Sequence, residues 1–180
     1  MCYWSEKRIQ CVSLDSFVHE YVHLVSERNK NIVYRPNEIF VEGLATYVSS
    51  SFFDVISSNE YKYFKPSTVS RVSDLNEHNT ISELLSSNGL DYNSKNYNKA
   101  LVALADKKYG VARVDKNSDF YKYYMGSIFV DYCANRLGGI DVFMTVYVDS
   151  LRISEVYGKS VEELVVDACN YNTSVFYGDE

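Results

Sequence analysis

The sequence predicts a mainly α-helical fold, and three observations lead there. Apolar residues recur at helical spacing through most of the chain, capping residues stand ahead of those runs, and glycines follow some of them. In addition, only two prolines and eight glycines interrupt 180 residues. No internal repeat, low-complexity tract or Pro/Gly-rich linker divides the chain, so one domain with a real core is expected.

The elements follow in chain order. "KRIQCVSL" (7–14) has room for one short strand at most. Ser13, Asp15 or Ser16 can cap a helix running to about Glu27, because their side-chain oxygens accept from first-turn N–H groups. "RPNEIFVEGLATYVSSSFFDVIS" reads as a second helix, with Asn37 as cap after Pro36 and an end near Ser57. From Asn59 to Asn79 the chain is polar without clear periodicity, which predicts a long loop or irregular segment, of a length more often functional or mobile than inert. "TISE", Thr80 to Glu83, has the form of a capping box for a short helix. One helix is expected near Asn96 to Lys108, and another from about Asp119 to Leu137, closed by Gly138 and Gly139. "DVFMTVYVDSL" and "SVEELVVDAC" read as two last helices.

Composition narrows the function classes. Apolar residues make up 46% and charged residues 23%, the balance of a soluble globular protein. A net charge of -6 offers no basic footprint for nucleic acid and argues against an anionic membrane surface as partner. No run approaches the roughly 20 apolar residues needed to span a bilayer. The start, "MCYWSEKRIQ", lacks the apolar run of a signal peptide, and a secreted or a cytoplasmic location both remain open. Tyrosine is the outlier at 17, a residue that buries its ring and keeps a hydroxyl available. Cys2, Cys11, Cys133 and Cys169 lack the short spacing of zinc fingers or redox motifs. Buried free thiols are expected, with cystines in a secreted chain as the alternative.

The stretch richest in chemistry is "FVHEYVHLV", residues 17 to 25. Residues four apart in a helix lie about 40° apart around its axis, so His19 and His23 project side by side. Both imidazoles can then reach one metal ion at about 2.0–2.1 Å. Glu20 lies about 100° round from His19, beside such an ion rather than on it, where it can hold an attacking water as a general base. Catalytic zinc takes three protein ligands and leaves a position open. The metzincin continuation is absent, with Ser26 and Asn29 at the places of its glycine and third histidine. Glu27, Glu38 and Glu42 are the candidates for the third ligand. Glu27 would have to bend back on its own helix. Glu38 and Glu42 share a helical face, and periodicity alone does not choose between them. His78, in "NEHNT", reads as a surface loop residue. Asp15, one turn before His19, can orient that imidazole or simply cap the helix, and Thr46, one turn after Glu42, has the same two readings.

Together, "HEYVH", 18 residues, and then "EGLATYV" resemble the gluzincin zinc peptidases, the clan of thermolysin and the aminopeptidase N-like enzymes. The gap is that of the aminopeptidase N-like branch, and the Glu-Gly-x-Ala-x-Tyr run is similar to that branch's second metal-site helix. Bacterial collagenases carry similar motifs with a longer gap. The resemblance implies Glu42 as third ligand beside His19 and His23, one Zn2+, and Glu20 as the base. "YYMGSIFVDYCANRLGG" is similar to a helix these enzymes carry after the metal site. Matched residue by residue, it implies that Tyr123, three before Gly126, donates a hydrogen bond to the reaction's oxyanion. Tyr121 and Tyr124 crowd the same turn. "YGKSVEELV" looks like the closing helix of such domains, so the likeness covers most of residues 17 to 170.

Two departures shape the expectation. The family places a β-sheet ahead of the metal-binding helix, whereas 18 residues precede His19 here. Its Gly-x-Met-Glu-Asn run, which grips a free amino terminus, has no counterpart. The expectation is a single peptidase-like catalytic domain over 1–180, either a fragment of a longer protein or one with a differently built groove. It would be a zinc metallopeptidase, endopeptidase-like, acting on a peptide or protein substrate. The rival is a catalytically degenerate zinc-binding or protein-interaction domain. Intact Glu20 separates the two, because a binding module has no use for an acid beside the metal.

Overall fold

A computed structural model describes residues 14–28, 37–52 and 78–178 of the chain. They form eight α-helices, and no strand occurs among the described residues. The expected mainly helical fold is what the chain adopts. The candidate strand over 7–14 falls outside the described residues up to its last position, Leu14, which opens the first helix. Ser13 and residues 53–57 of the second expected helix also lie outside them, as does 59–77 of the expected loop.

The first two helices, α1 (Leu14–Arg28) and α2 (Glu38–Phe52), pack on each other and carry the candidate metal ligands. Asn37 caps α2 as expected, its Oδ1 accepting from Ile39 N–H at 3.2 Å. Helix α3 (His78–Ser87) starts two residues before the expected cap, which corrects two readings. Thr80 lies inside the first turn, and His78 opens a helix instead of sitting in a loop. Helix α4 (Ser94–Tyr109) is capped by Asn93, whose side chain accepts from Asn96 N–H at 2.8 Å.

The long helix expected from Asp119 to Leu137 is two elements. A π-helical segment, Phe120–Met125, runs directly into α5 (Gly126–Arg136). The Gly126 N–H reaches back to the carbonyl of Tyr121, five residues earlier, the wide bond that defines a π turn. Residue periodicity is nearly blind to one wide turn, so the sequence showed an unbroken helix. Helix α6 (Ile140–Val148) is followed by a 3₁₀ turn, Ser150–Arg152, and the short α7 (Ile153–Tyr157), which the sequence reading did not separate. Helix α8 (Val161–Tyr177) begins with a capping box: Ser160 N–H donates to Glu163 at 2.8 Å, and Glu163 N–H to the Ser160 hydroxyl at 3.3 Å.

The core lies where α2, α5 and α6 meet. Phe40, Phe129 and Phe143 stack and edge together with ring centroids 5.4 to 5.9 Å apart, and all three are fully buried. Helices α2 and α5 make the most extensive contact, because both carry a glycine where they cross. A Cβ built on Gly43 would lie 2.6 Å from the Gly126 carbonyl carbon, so the two backbones touch with no room for a side chain. Across the other side, Lys95 and Lys99 of α4 bracket Asp131 of α5 at 3.0 and 2.7 Å. Cys133 and Cys169 are buried free thiols, and burial pushes Cys133 up to about 12, which leaves it inert. Among the described residues no helix is long and apolar enough to cross a membrane.

Candidate metal centre

Helix α1 presents His19 and His23 from one face, and α2 crosses so that Glu42 meets them. His19 Nε2 lies 3.0 Å from His23 Nε2 and 3.1 Å from Glu42 Oε2, and His23 Nε2 lies 3.2 Å from the same oxygen. Three ligand atoms held tetrahedrally at ~2.0–2.1 Å from one zinc ion would be roughly 3.3 Å apart. The observed triangle matches that spacing to a few tenths of an ångström. Two imidazoles and a carboxylate are also a donor set zinc accepts, so the residues fit the ion that the sequence implied.

The electrostatics point the same way. Burial pushes the Glu42 carboxyl up, but hydrogen bonds and charge from His19 and His23 outweigh it and hold the group at about 2. It is therefore a carboxylate throughout the neutral range, the form a metal ligand needs. The side chains are largely enclosed, with His23 11% and His19 17% exposed, so charge here is poorly screened by water.

The structure separates the two glutamates that periodicity left equivalent. Glu38 is mostly exposed and ion-pairs with Lys122 of the π-helical segment, while Glu42 turns to the histidines. It separates the three tyrosines as well. Tyr121 and Tyr124 are buried in the core, Tyr124 against Phe120 with centroids 5.6 Å apart. Tyr121 is pushed up to about 12 by burial, then by charge from Glu162 and Cys169, which marks it as facing α8. Tyr123 instead sets its ring 5.6 Å from that of His19. Burial raises its phenol first, followed by charge from Glu42 and Asp119, a hydrogen bond to Glu42, and charge from Glu20. It stays protonated at neutral pH and so keeps an O–H to donate. Glu20 is half-buried on α1 and is among the charges that reach that phenol.

Some of the site escaped the sequence reading. The Glu38–Lys122 pair ties the first turn of α2 to the segment bearing Tyr123. The Gly43–Gly126 contact sets how closely that segment approaches Glu42, and its only sequence signal is a glycine near a site residue in each helix. Thr46 Oγ1 is buried without a hydrogen-bond partner, so it does not orient Glu42. Asp15, Glu27 and His78 lie outside the residues whose side chains are described.

The chain matches no protein-family model, no curated protein and no solved structure. The likeness to gluzincins rests on the two spaced motifs in the sequence itself.

Proposed function

We propose that this chain is a zinc-dependent peptidase of gluzincin type, with His19, His23 and Glu42 as the metal ligands. The observation that carries the reading is the triangle of ligand atoms 3.0 to 3.2 Å apart, with Tyr123 packed on one of its corners. Zinc held there would supply a Lewis acid that polarises the scissile carbonyl and acidifies water. Glu20 takes the proton of the attacking water and delivers it to the leaving amine. Tyr123, kept protonated by burial and by Glu42, donates to the carbonyl oxygen as negative charge develops on it. Tyr123 lies in the π-helical segment, and the recurrence of such segments at functional sites supports the reading.

The second reading, a zinc-holding interaction domain without turnover, uses the same three ligands and differs in what Glu20 does. Elemental analysis and a broad peptide-library digest of the parent and of Glu20→Gln separate them. The peptidase reading expects about one zinc in each protein, and a loss of at least about 10²-fold in cleavage for the variant. A zinc-loaded parent that cleaves no peptide moves the conclusion to the interaction domain.

A further inference from the structure

The π-helical segment packs along α2, and two contacts hold it there on either side of Tyr123. Three residues after Tyr123, the backbone of Gly126 rests on Gly43 of α2. One residue before it, the Lys122 ammonium pairs with the Glu38 carboxylate. The partners on α2 follow in the same order, Glu38 one turn before the metal ligand Glu42 and Gly43 directly after it. Tyr123 hydrogen-bonds Glu42 and sets its ring 5.6 Å from that of His19, so the phenol lies between the two ties. The ties differ in kind. Dispersion contact between two glycines has no direction: it limits how closely the segment approaches and leaves it able to roll about α2. A hydrogen-bonded ion pair has direction and opposes that roll. Glu38 stands in the first turn of α2, where the helix N-terminus favours a carboxylate. Lys122 is only 23% exposed, and Glu38, Asp119 and Glu42 are the acids that face it.

We propose that Lys122 is a positioning residue: paired with Glu38, it fixes the roll of the π-helical segment that keeps the Tyr123 phenol at the metal ligands. Lys122 and Tyr123 are neighbours in the chain, so a roll that displaces the ammonium carries the phenol with it. Glu38 is mostly exposed, which makes the pair a weak source of stability and leaves it open to screening by salt. Its consequence is the place of one hydroxyl, where a small displacement matters far more than it does for stability. The kinetic consequence rests on the peptidase reading; the placement of the ring does not.

Two measurements on the zinc-loaded full chain test this, and the first needs no turnover. With isotope-labelled tyrosine rings, the NMR resonance lost in Tyr123→Phe is that of Tyr123, and its shift reports the ring's place against His19. Lys122→Met and Glu38→Gln should each move that resonance in the same direction, and Lys122→Arg, which keeps the charge, should move it least. Lys159→Met, which breaks a separate ion pair to Asp167 of α8 at 2.6 Å, should leave it in place. The second measurement is kinetic. Lys122→Met and Glu38→Gln should each lower kcat about threefold to tenfold with KM nearly unchanged, and the double variant no further. In the Tyr123→Phe background Lys122→Met should cost nothing more, and high salt should narrow the gap between parent and Lys122→Met. A Tyr123 resonance unmoved in both variants overturns the proposal, as does a loss of kcat that adds in full to that of Tyr123→Phe. A raised KM in Lys122→Met alone overturns it too, because Lys122 would then meet the substrate itself. A parent that cleaves no peptide while the resonance moves as expected sinks the peptidase reading and upholds the positioning role.

Discussion

Replacing Gly43 by alanine should damage this protein more than replacing Gly126, although the two glycines face each other. A Cβ on Gly43 would lie 2.6, 2.7 and 2.9 Å from the carbonyl carbon, carbonyl oxygen and Cα of Gly126. Optimal carbon contacts lie at about 3.5–4.0 Å, so the helices must part by roughly 1 Å. Every atom in the way is backbone, and no side chain can swing aside. Overpacking of this kind costs about 1–3 kcal/mol, and here the upper end or more applies. Alanine returns about 1 kcal/mol of helix propensity, leaving a net loss of about 2–3 kcal/mol. At Gly126 the nearest atoms are Gly43 Cα at 2.9 Å and Ile39 O at 3.0 Å, followed by the Ile39 side chain at 3.2 Å. A shift of roughly half an ångström relieves these contacts, and the propensity gain leaves a net loss of about 0–1 kcal/mol. Urea titration should therefore lower the midpoint clearly for Gly43→Ala and little for Gly126→Ala, with unchanged slopes. Thermal melting of Gly43→Ala should fall by roughly 5–10 °C. Zinc affinity should hold in both variants, because the ligands sit on α1 and α2, while any turnover falls as Tyr123 draws away from Glu42. Parent-like stability of Gly43→Ala, or a larger loss at Gly126 than at Gly43, would refute the reasoning.

Three further outcomes follow from the site. Glu42→Gln should weaken zinc binding at least about tenfold, whereas Glu38→Gln should leave it near the parent's value, because Glu38 is engaged with Lys122; competition with a chelator measures both. Tyr123→Phe keeps the ring against His19 and removes only the donor. It should lower kcat by about 10²-fold with KM nearly unchanged, and an equal kcat would reduce Tyr123 to packing. In the metal-free protein, the Glu42 carboxyl titrates at about 2 when folded against an ordinary value of 4.5. Its folded value is depressed, so its contribution to stability is fully present above about pH 4.5 and is lost as pH falls toward 2. Denaturation midpoints of parent and Glu42→Gln measured across that window should converge toward acid; a constant gap between them would count against the coupling.

What was legible in the sequence was local. Helix hydrogen bonds close within four residues, so periodicity and the capping residue Asn37 located helices without knowledge of the fold. The same locality put His19 and His23 on one face, since four residues of helix fix their relation whatever lies opposite. The tertiary structure decided everything that depends on where one helix crosses another. Glu38 and Glu42 were equivalent by spacing until Lys122 arrived from the π-helical segment and paired with the first. Tyr121, Tyr123 and Tyr124 were three tyrosines in one stretch until burial took two of them and left the third against His19. The wide turn that carries Tyr123 leaves almost no trace in residue type, because it differs from an α turn by a single residue of hydrogen-bond register. Gly43 and Gly126 stand 83 positions apart, and only their meeting, backbone on backbone, sets how near that phenol comes to the carboxylate.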